Sequence, residues 1–258
     1  MALVHVGVTE MAAELQPGTD DWAELRSEIE RLRPELLVLN ELPFGPWLAA
    51  RQQFDGAAWE DSIAAHAAGL EALPKLGVPI VVSTRPADLD GRRCNQAFVW
   101  SHDAGLVFPH TKQHIPDSPG YRETTWTVPG ETCFEVVEAL GLRIGFLICT
   151  DLMFTQHARE YGREGVDLIV VPRAMPPGAA HTFDIALQMT AIVSGCSVAS
   201  SNRRGRDSVG EQFEGRGCII DPLGNTVAQT SSHQRLVVHE ISTDFSDWKQ
   251  TVYPCNVS

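Results

Sequence analysis

GFLICTDLMFTQHAREYGREGVDLIVVP, residues 145–172, is the stretch on which the fold turns. An apolar run, IGFLIC, ends at Cys149, and a polar stretch at about 155–164 has the composition and length of a short helix. A second apolar run, DLIVVP at 167–172, follows at once. Uninterrupted apolar runs of this length read as strands buried on both faces, and the helix between them has the length of a crossover. A strand, a helix and a strand in close succession predict an α/β fold, with reactive groups gathered where the strands run out.

The same alternation extends toward both ends. LVHVGV at 3–8 is rich in β-branched residues and reads as a first strand. Trp22, Leu25, Ile29 and Leu32 recur at helical spacing until Pro34. LLVLN at 36–40 is a buried strand that stops at Glu41, and a helix over 57–73 leads to a strand VPIVVS at 78–83. A helix at 182–194, a strand at 196–201, a hairpin in GCIIDPLGNTVAQT and a last strand LVVHEI complete the pattern. Two strand pairs, 95–108 around His102–Gly105 and 133–149 around Gly141, are joined too tightly for parallel crossovers. Parallel and antiparallel neighbours are therefore mixed. Between those pairs, residues 110–130 form a long polar loop containing Pro116, Pro119 and Pro129, a length that marks function or disorder. With no repeat, linker or low-complexity tract, residues 1–258 are read as one domain.

Composition narrows the function. The 33 acidic and 20 basic side chains leave a formal charge of −13, which repels phosphate backbones and anionic membranes, so neither nucleic acid nor lipid is expected as partner. No apolar stretch approaches the roughly 18 residues needed to span a bilayer, and MALVHVGVTE lacks a basic leader, so a cytoplasmic protein is expected. Six cysteines show no CxxC pair and no zinc spacing. Cys94, Cys133, Cys196, Cys218 and Cys255 read as small buried hydrophobes or bystanders. His110 and His114 are spaced i,i+4, but the flanking Pro109 and Pro116 disfavour the helix that would make them metal ligands. The glycines of 205–217 match no phosphate-binding pattern.

Glu41, Lys112 and Cys149 each follow an apolar or strand-like run. Taken singly, the cysteine reads equally as a buried hydrophobe, the glutamate as a loop charge and the lysine as a surface group. Their surroundings are more specific. ELPFGPW at 41–47, HTKQHIPDSPGYRETTWTVPGE at 110–131, the opening stretch at 145–172, and SNRRG at 201–205 with GRGCIIDPLGN at 215–225 resemble, in order, the motifs of the nitrilase or carbon–nitrogen hydrolase superfamily. The segment KQHIPDSPGYRE is similar to its N-carbamoylputrescine amidase branch.

The resemblance implies a four-layer αββα sandwich with mixed sheets and a Glu–Lys–Cys triad, needing no metal or organic cofactor. Cys149 is then the nucleophile and Glu41 the general base. Lys112 would lower the energy of the thiolate and hold the oxyanion together with the backbone N–H of Thr150. Glu123 matches a second glutamate of the family that would orient Lys112; otherwise it is a loop charge beside Arg122. Thr155-Gln156 depart from the Pro-Glu that relatives often carry. Arg173, where the N-carbamoylputrescine branch tends to have Thr, reads either as a pocket-lining group for a substrate carboxylate or as an Arg paired with an acidic residue at the rim. The implied activity is hydrolysis of a linear amide or N-carbamoyl group of a small molecule, possible partners being carboxylate-bearing substrates and a second copy in a homodimer or larger assembly. A nitrile-cleaving enzyme and a catalytically silent binding protein on the same fold are the alternatives.

Overall fold

The computed structural model describes residues 3–119, 121–130 and 134–242. Its strands are β1 (Leu3–Ala12), β2 (Leu36–Val38), β3 (Ile80–Leu89), β4 (Arg92–Ser101), β5 (Gly105–Val107), β6 (Asp117–Ser118), β7 (Tyr121–Arg122), β8 (Val137–Ala139), β9 (Leu142–Phe146), β10 (Leu168–Arg173), β11 (Ser197–Arg206), β12 (Gln212–Glu214), β13 (Cys218–Ile220), β14 (Thr226–Gln229) and β15 (Leu236–Ser242). Its helices are α1 (Asp20–Leu32), α2 (Gly56–Ala72), α3 (Thr155–Arg163) and α4 (Ala180–Ser194).

Two sheets face each other. The first runs β5-β4-β3-β2-β1-β15, parallel through β1, β2 and β3 and antiparallel beyond. The second runs β8-β9-β10-β11, with β12 and β13 antiparallel to β11. They meet where the end of β1 pairs in parallel with the end of β11, Glu10 opposite Asn202. Period-two alternation sorts the side chains. Val4, Val6, Val8, Leu36, Val38 and Val82 point inward onto Ile144, Val170 and Val198 of the second sheet. Leu37, Leu39, Val81 and Phe98 point outward onto Trp22, Leu25 and Ile29 of α1 and Leu70 of α2. On the far side α3 and α4 pack together and Tyr161, Leu187 and Ala191 join the inner core. The four-layer αββα sandwich is thus the architecture.

Local chemistry explains the helix ends. Thr19 caps α1 by accepting from the Trp22 N–H, and Arg33 closes it in the left-handed region before Pro34. Asp55 caps α2 through the N–H groups of Ala57 and Ala58. The expected strand at 78–83 is longer than its apolar run: β3 continues through Pro86 to a turn at Asp90-Gly91, both with positive φ, and returns as β4. An Asp-Gly pair is the residue choice such a turn requires. The strand pair around Gly141 forms as β8 and β9, while Cys133 at its expected start lies outside the described residues, as does Cys255. No helix among the described residues is long and apolar enough to cross a membrane.

Candidate active site

The end of β2, the 110–130 loop and the turn after β9 converge. Glu41, Lys112 and Cys149 are buried at 0%, 0% and 5% exposure, and Glu123 at 4%. Lys112 Nζ donates to Glu41 Oε1 at 2.8 Å and to Glu123 Oε1 and Oε2 at 2.9 and 2.7 Å. Glu123 is therefore no solvated loop charge. The charges of Glu41, Lys112 and Glu123 all act on the Cys149 thiol, whose sulfur also accepts a hydrogen bond from the Ala174 N–H.

The backbone delivers each group. Glu41 follows Asn40 beyond β2 and donates its N–H to the Arg173 carbonyl at the end of β10, which ties one sheet's edge to the other. Cys149 does not end a strand, as its apolar run implied. β9 stops at Phe146, and Cys149 opens a 3-10 turn, Cys149–Met153, with φ of 46°. A non-glycine residue in the left-handed region costs on the order of 1–3 kcal/mol and is found where surroundings enforce it. Asp151 is the enforcing neighbour. Its Oδ2 accepts the Ile148 N–H at 3.2 Å and His110 Nε2 at 2.8 Å, while its Oδ1 accepts the N–H groups of Gln113 and His114 at 3.1 and 2.9 Å. One buried carboxylate thus fastens the segment after Lys112 to the residue before Cys149.

Proton affinities follow from burial and from two carboxylates sharing one ammonium. Burial pulls Lys112 down, but Glu123 and Glu41 outweigh it, so the ammonium is held charged far above the ordinary range. Burial, with Glu41 beside it, pushes Glu123 up to about 7 against the pull of Lys112. Cys149 is raised by burial first and by Glu41 next, and Lys112 offsets only part of this. The contribution of Lys112 has the expected sign, lowering the energy of the thiolate against burial and Glu41. All three N–H bonds of Lys112 go to carboxylates, so it binds an oxyanion only by surrendering one of them. Thr150 stands second in the 3-10 turn, where the first N–H groups have no acceptor within the turn itself, and its Oγ1 is buried without a partner.

Arg173 does not line a pocket as a free guanidinium, nor does it sit at the rim in an ion pair. It is 0% exposed, donating from Nε to Ser200 Oγ at 2.6 Å, from Nη2 to the Arg216 carbonyl at 2.7 Å and from Nη1 to Met175 Sδ at 3.6 Å. Its length, read as reach toward a ligand, instead spans β10 to the loop before β13. His110 and His114 turn to Asp151 and to His157.

Three further residues escaped the sequence reading. Asn95, inside β4, donates from Nδ2 to Glu41 Oε1 at 2.8 Å, and its carbonyl accepts the Lys112 N–H. An isolated Asn in a strand carries no periodic signal. Asp151 is the second. Arg203, within SNRRG, donates to the carbonyls of Glu41 at 3.0 Å, Ala13 at 2.7 Å and Gly45 at 3.1 Å, and also to that of Leu42. It is the internal brace of the ELPFGPW segment, and burial lowers it to about 10. Gly120 and Glu131 of the lysine-containing motif lie outside the described residues.

Known proteins resemble this chain in sequence and in fold. The chain is 26% identical over 176 residues to omega-amidase NIT2 of Xenopus tropicalis, covering 66% of this chain and 63% of that protein. It is 28% identical over 178 residues to N-carbamoylputrescine amidase of Solanum tuberosum, covering 64% of this chain and 59% of the relative. The match thus spans less than two thirds of these relatives' length. In fold it is similar to a carbon-nitrogen hydrolase from Helicobacter pylori G27, at TM-score 0.79, 21% identity and coverage of 97% of this chain and 93% of the other. It is also similar to a variant amidase from Nesterenkonia sp. AN1 bearing acrylamide on its active-site cysteine, at TM-score 0.77, 20% identity and 95% coverage of each. The likeness to these solved structures establishes the fold. The chain belongs to the carbon-nitrogen hydrolase family, whose profile matches residues 2–250.

Proposed function

We propose that this hydrolase is an amidase that cleaves a linear amide or N-carbamoyl group of a small molecule through a thioester on Cys149. The observation that carries the reading is the buried Glu41–Lys112–Glu123 cluster acting on a buried thiol. Glu41 Oε2 is buried and has no hydrogen-bond partner, so it is the oxygen available to take the thiol proton. As the proton moves to Glu41, sulfur attacks the carbonyl carbon and the oxygen gains charge near the Thr150 N–H. When the carbon–nitrogen bond breaks, Glu41 returns its proton to the leaving nitrogen, and ammonia or an amine departs. Water then gives a proton to Glu41 and its hydroxyl to the acyl carbon, the carbon–sulfur bond breaks, and the proton returns to sulfur. Glu123 keeps Lys112 oriented throughout and, being raised, can release one of its bonds when protonated.

The reading carries a reducing, cytoplasmic setting, supported by the buried cysteines Cys94 and Cys218, which form no disulfide. It also carries one domain working as a homodimer. Met153, Phe154, Ile185 and Met189, exposed by 36–50% on the α3–α4 flank, support that assembly.

The test is a panel of nitriles, primary amides, N-carbamoyl acids and N-carbamoyl amines, scored for released ammonia with intact-mass detection of acylated Cys149. Turnover of amides or carbamoyl compounds, abolished in Cys149→Ala, is the expected result. Turnover of nitriles alone would make it a nitrilase, and ligand binding without turnover would make it a binding protein; either result overturns the proposal.

A further inference from the structure

Behind the Cys149 turn lies a group of imidazoles that the reaction does not use. His114 Nε2 and His157 Nε2 are 2.9 Å apart. His114 stacks on Phe154 with ring centres 3.3 Å apart and planes 7° from parallel, and His157 stacks on Phe134 at 4.1 Å and 18°. These rings leave the imidazoles little freedom to turn. From the pair, a chain of direct contacts leads inward. The backbone N–H groups of His114 and Gln113 rest on Asp151 Oδ1, Asp151 Oδ2 holds the Ile148 N–H, and Lys112 and Cys149 are the next residues on either side. His157 itself belongs to α3 and bonds to no reacting group.

We propose that His157 is a positioning residue: by its bond to His114 it presses the 112–114 segment against Asp151 and so fixes Lys112 relative to Cys149. The inference rests on the reading of Cys149 and Lys112 as reacting groups. It also makes the site sensitive to acid. Two imidazoles that meet through Nε2 need one N–H and one lone pair between them, an arrangement available to the neutral and the singly charged pair. The doubly charged pair has two N–H groups in opposition and two like charges in contact. Asp151, from the 3-10 turn, favours protonation of both rings, and His110, from the preceding loop, opposes it; the stacked Phe134 and Phe154 are uncharged. Burial is the largest influence, and both histidines are lowered. The bond is thus intact above the ordinary histidine value of about 6.5. It is lost as the pH falls through the lowered value and the second proton enters.

Alkylation of Cys149 by acrylamide tests this without a known substrate. Full-length wild type, His157→Gln and His157→Leu are compared from pH 4.5 to 8.5 by peptide-resolved mass spectrometry. Gln keeps an amide nitrogen near the Nε2 position and cannot titrate; Leu removes the bond. His157→Leu is expected to slow alkylation about 10- to 100-fold at pH 8, the range typical of displaced reacting groups. His157→Gln is expected to keep most of the rate at pH 8, and its ratio to wild type to rise as the pH falls below about 6.5. With an amide substrate, the Leu effect appears in kcat rather than KM. A flat His157→Gln ratio, with or without a folded Leu variant, overturns the proposal. Wild-type Cys149 that alkylates no faster than Cys94, with no panel compound hydrolysed, overturns the hydrolase reading and this proposal together.

Discussion

Lys112 has three N–H bonds to give and gives all of them to carboxylates, which makes the proton inventory of this site unusual. The negative charge of Glu41 raises the Cys149 thiol, so removing that charge lowers it. Glu41→Gln is therefore expected to have two opposite effects. Hydrolysis falls about a hundredfold or more for want of the base, while the pH at which Cys149 becomes alkylatable moves down. Steady-state turnover and the alkylation profile, measured on one preparation, check both. Glu123 has a further consequence for stability. Its folded value is raised, so the folded state holds a proton that the unfolded chain releases from about pH 4.3 upward. The stability it contributes is present below that pH and is lost as the pH rises through about 7. Glu123→Gln is expected to match wild type in thermal stability near pH 4 and to gain on it toward pH 8, a trend that thermal melts across pH would show.

Among the elements, those whose side chains only pack were the ones legible beforehand. α1 shows its buried Trp22, Leu25 and Ile29 at helical spacing, and β10 shows an unbroken apolar run because both its faces are covered. β3 and β4 were only half legible, since their far ends serve the site and carry Arg85, Asn95 and Gln96 in place of alternating apolar residues. Pro86 is tolerated within β3 because Asn95, its partner, turns its carbonyl away to the Lys112 N–H. The residues that cluster in the candidate site stood in motifs that could be quoted, whereas their bracing by Asn95, Asp151 and Arg203 depends on contacts between distant segments. Arg173 was misread for the same reason. Packing also sets a limit on α2. A Cβ at Gly69 would lie 2.3 Å from the Phe44 ring, in the segment that carries Glu41. Gly69→Ala gains about 1 kcal/mol of helix propensity, yet overpacking of about 1–3 kcal/mol opposes it. Net destabilisation in urea unfolding, accompanied by reduced turnover, is the expected outcome.

At the scale of the whole molecule, the proposed reacting groups come from different sheets: Glu41 follows β2 of the first and Cys149 follows β9 of the second. Arg203, on β11, reaches across to four carbonyls of the first sheet's loops, so it governs how the two halves sit together. Arg203→Lys keeps the charge but loses the planar fork. It is expected to cost about 3 kcal/mol or more, because buried acceptors are left unpaired, and to lower kcat; chemical denaturation and kinetics would show it. Assembly belongs to the same scale. Light scattering is expected to give twice the chain mass of 28.3 kDa, and replacing Ile185 and Met189 with Glu to halve it. The proton kept on Cys149 has a consequence for the molecule's endurance as well. Peroxide oxidises sulfur in its ionised form, and a thiol pushed up by burial and by Glu41 gives it little to attack. An enzyme so arranged is expected to survive oxidant exposure that inactivates hydrolases whose cysteine rests as the anion.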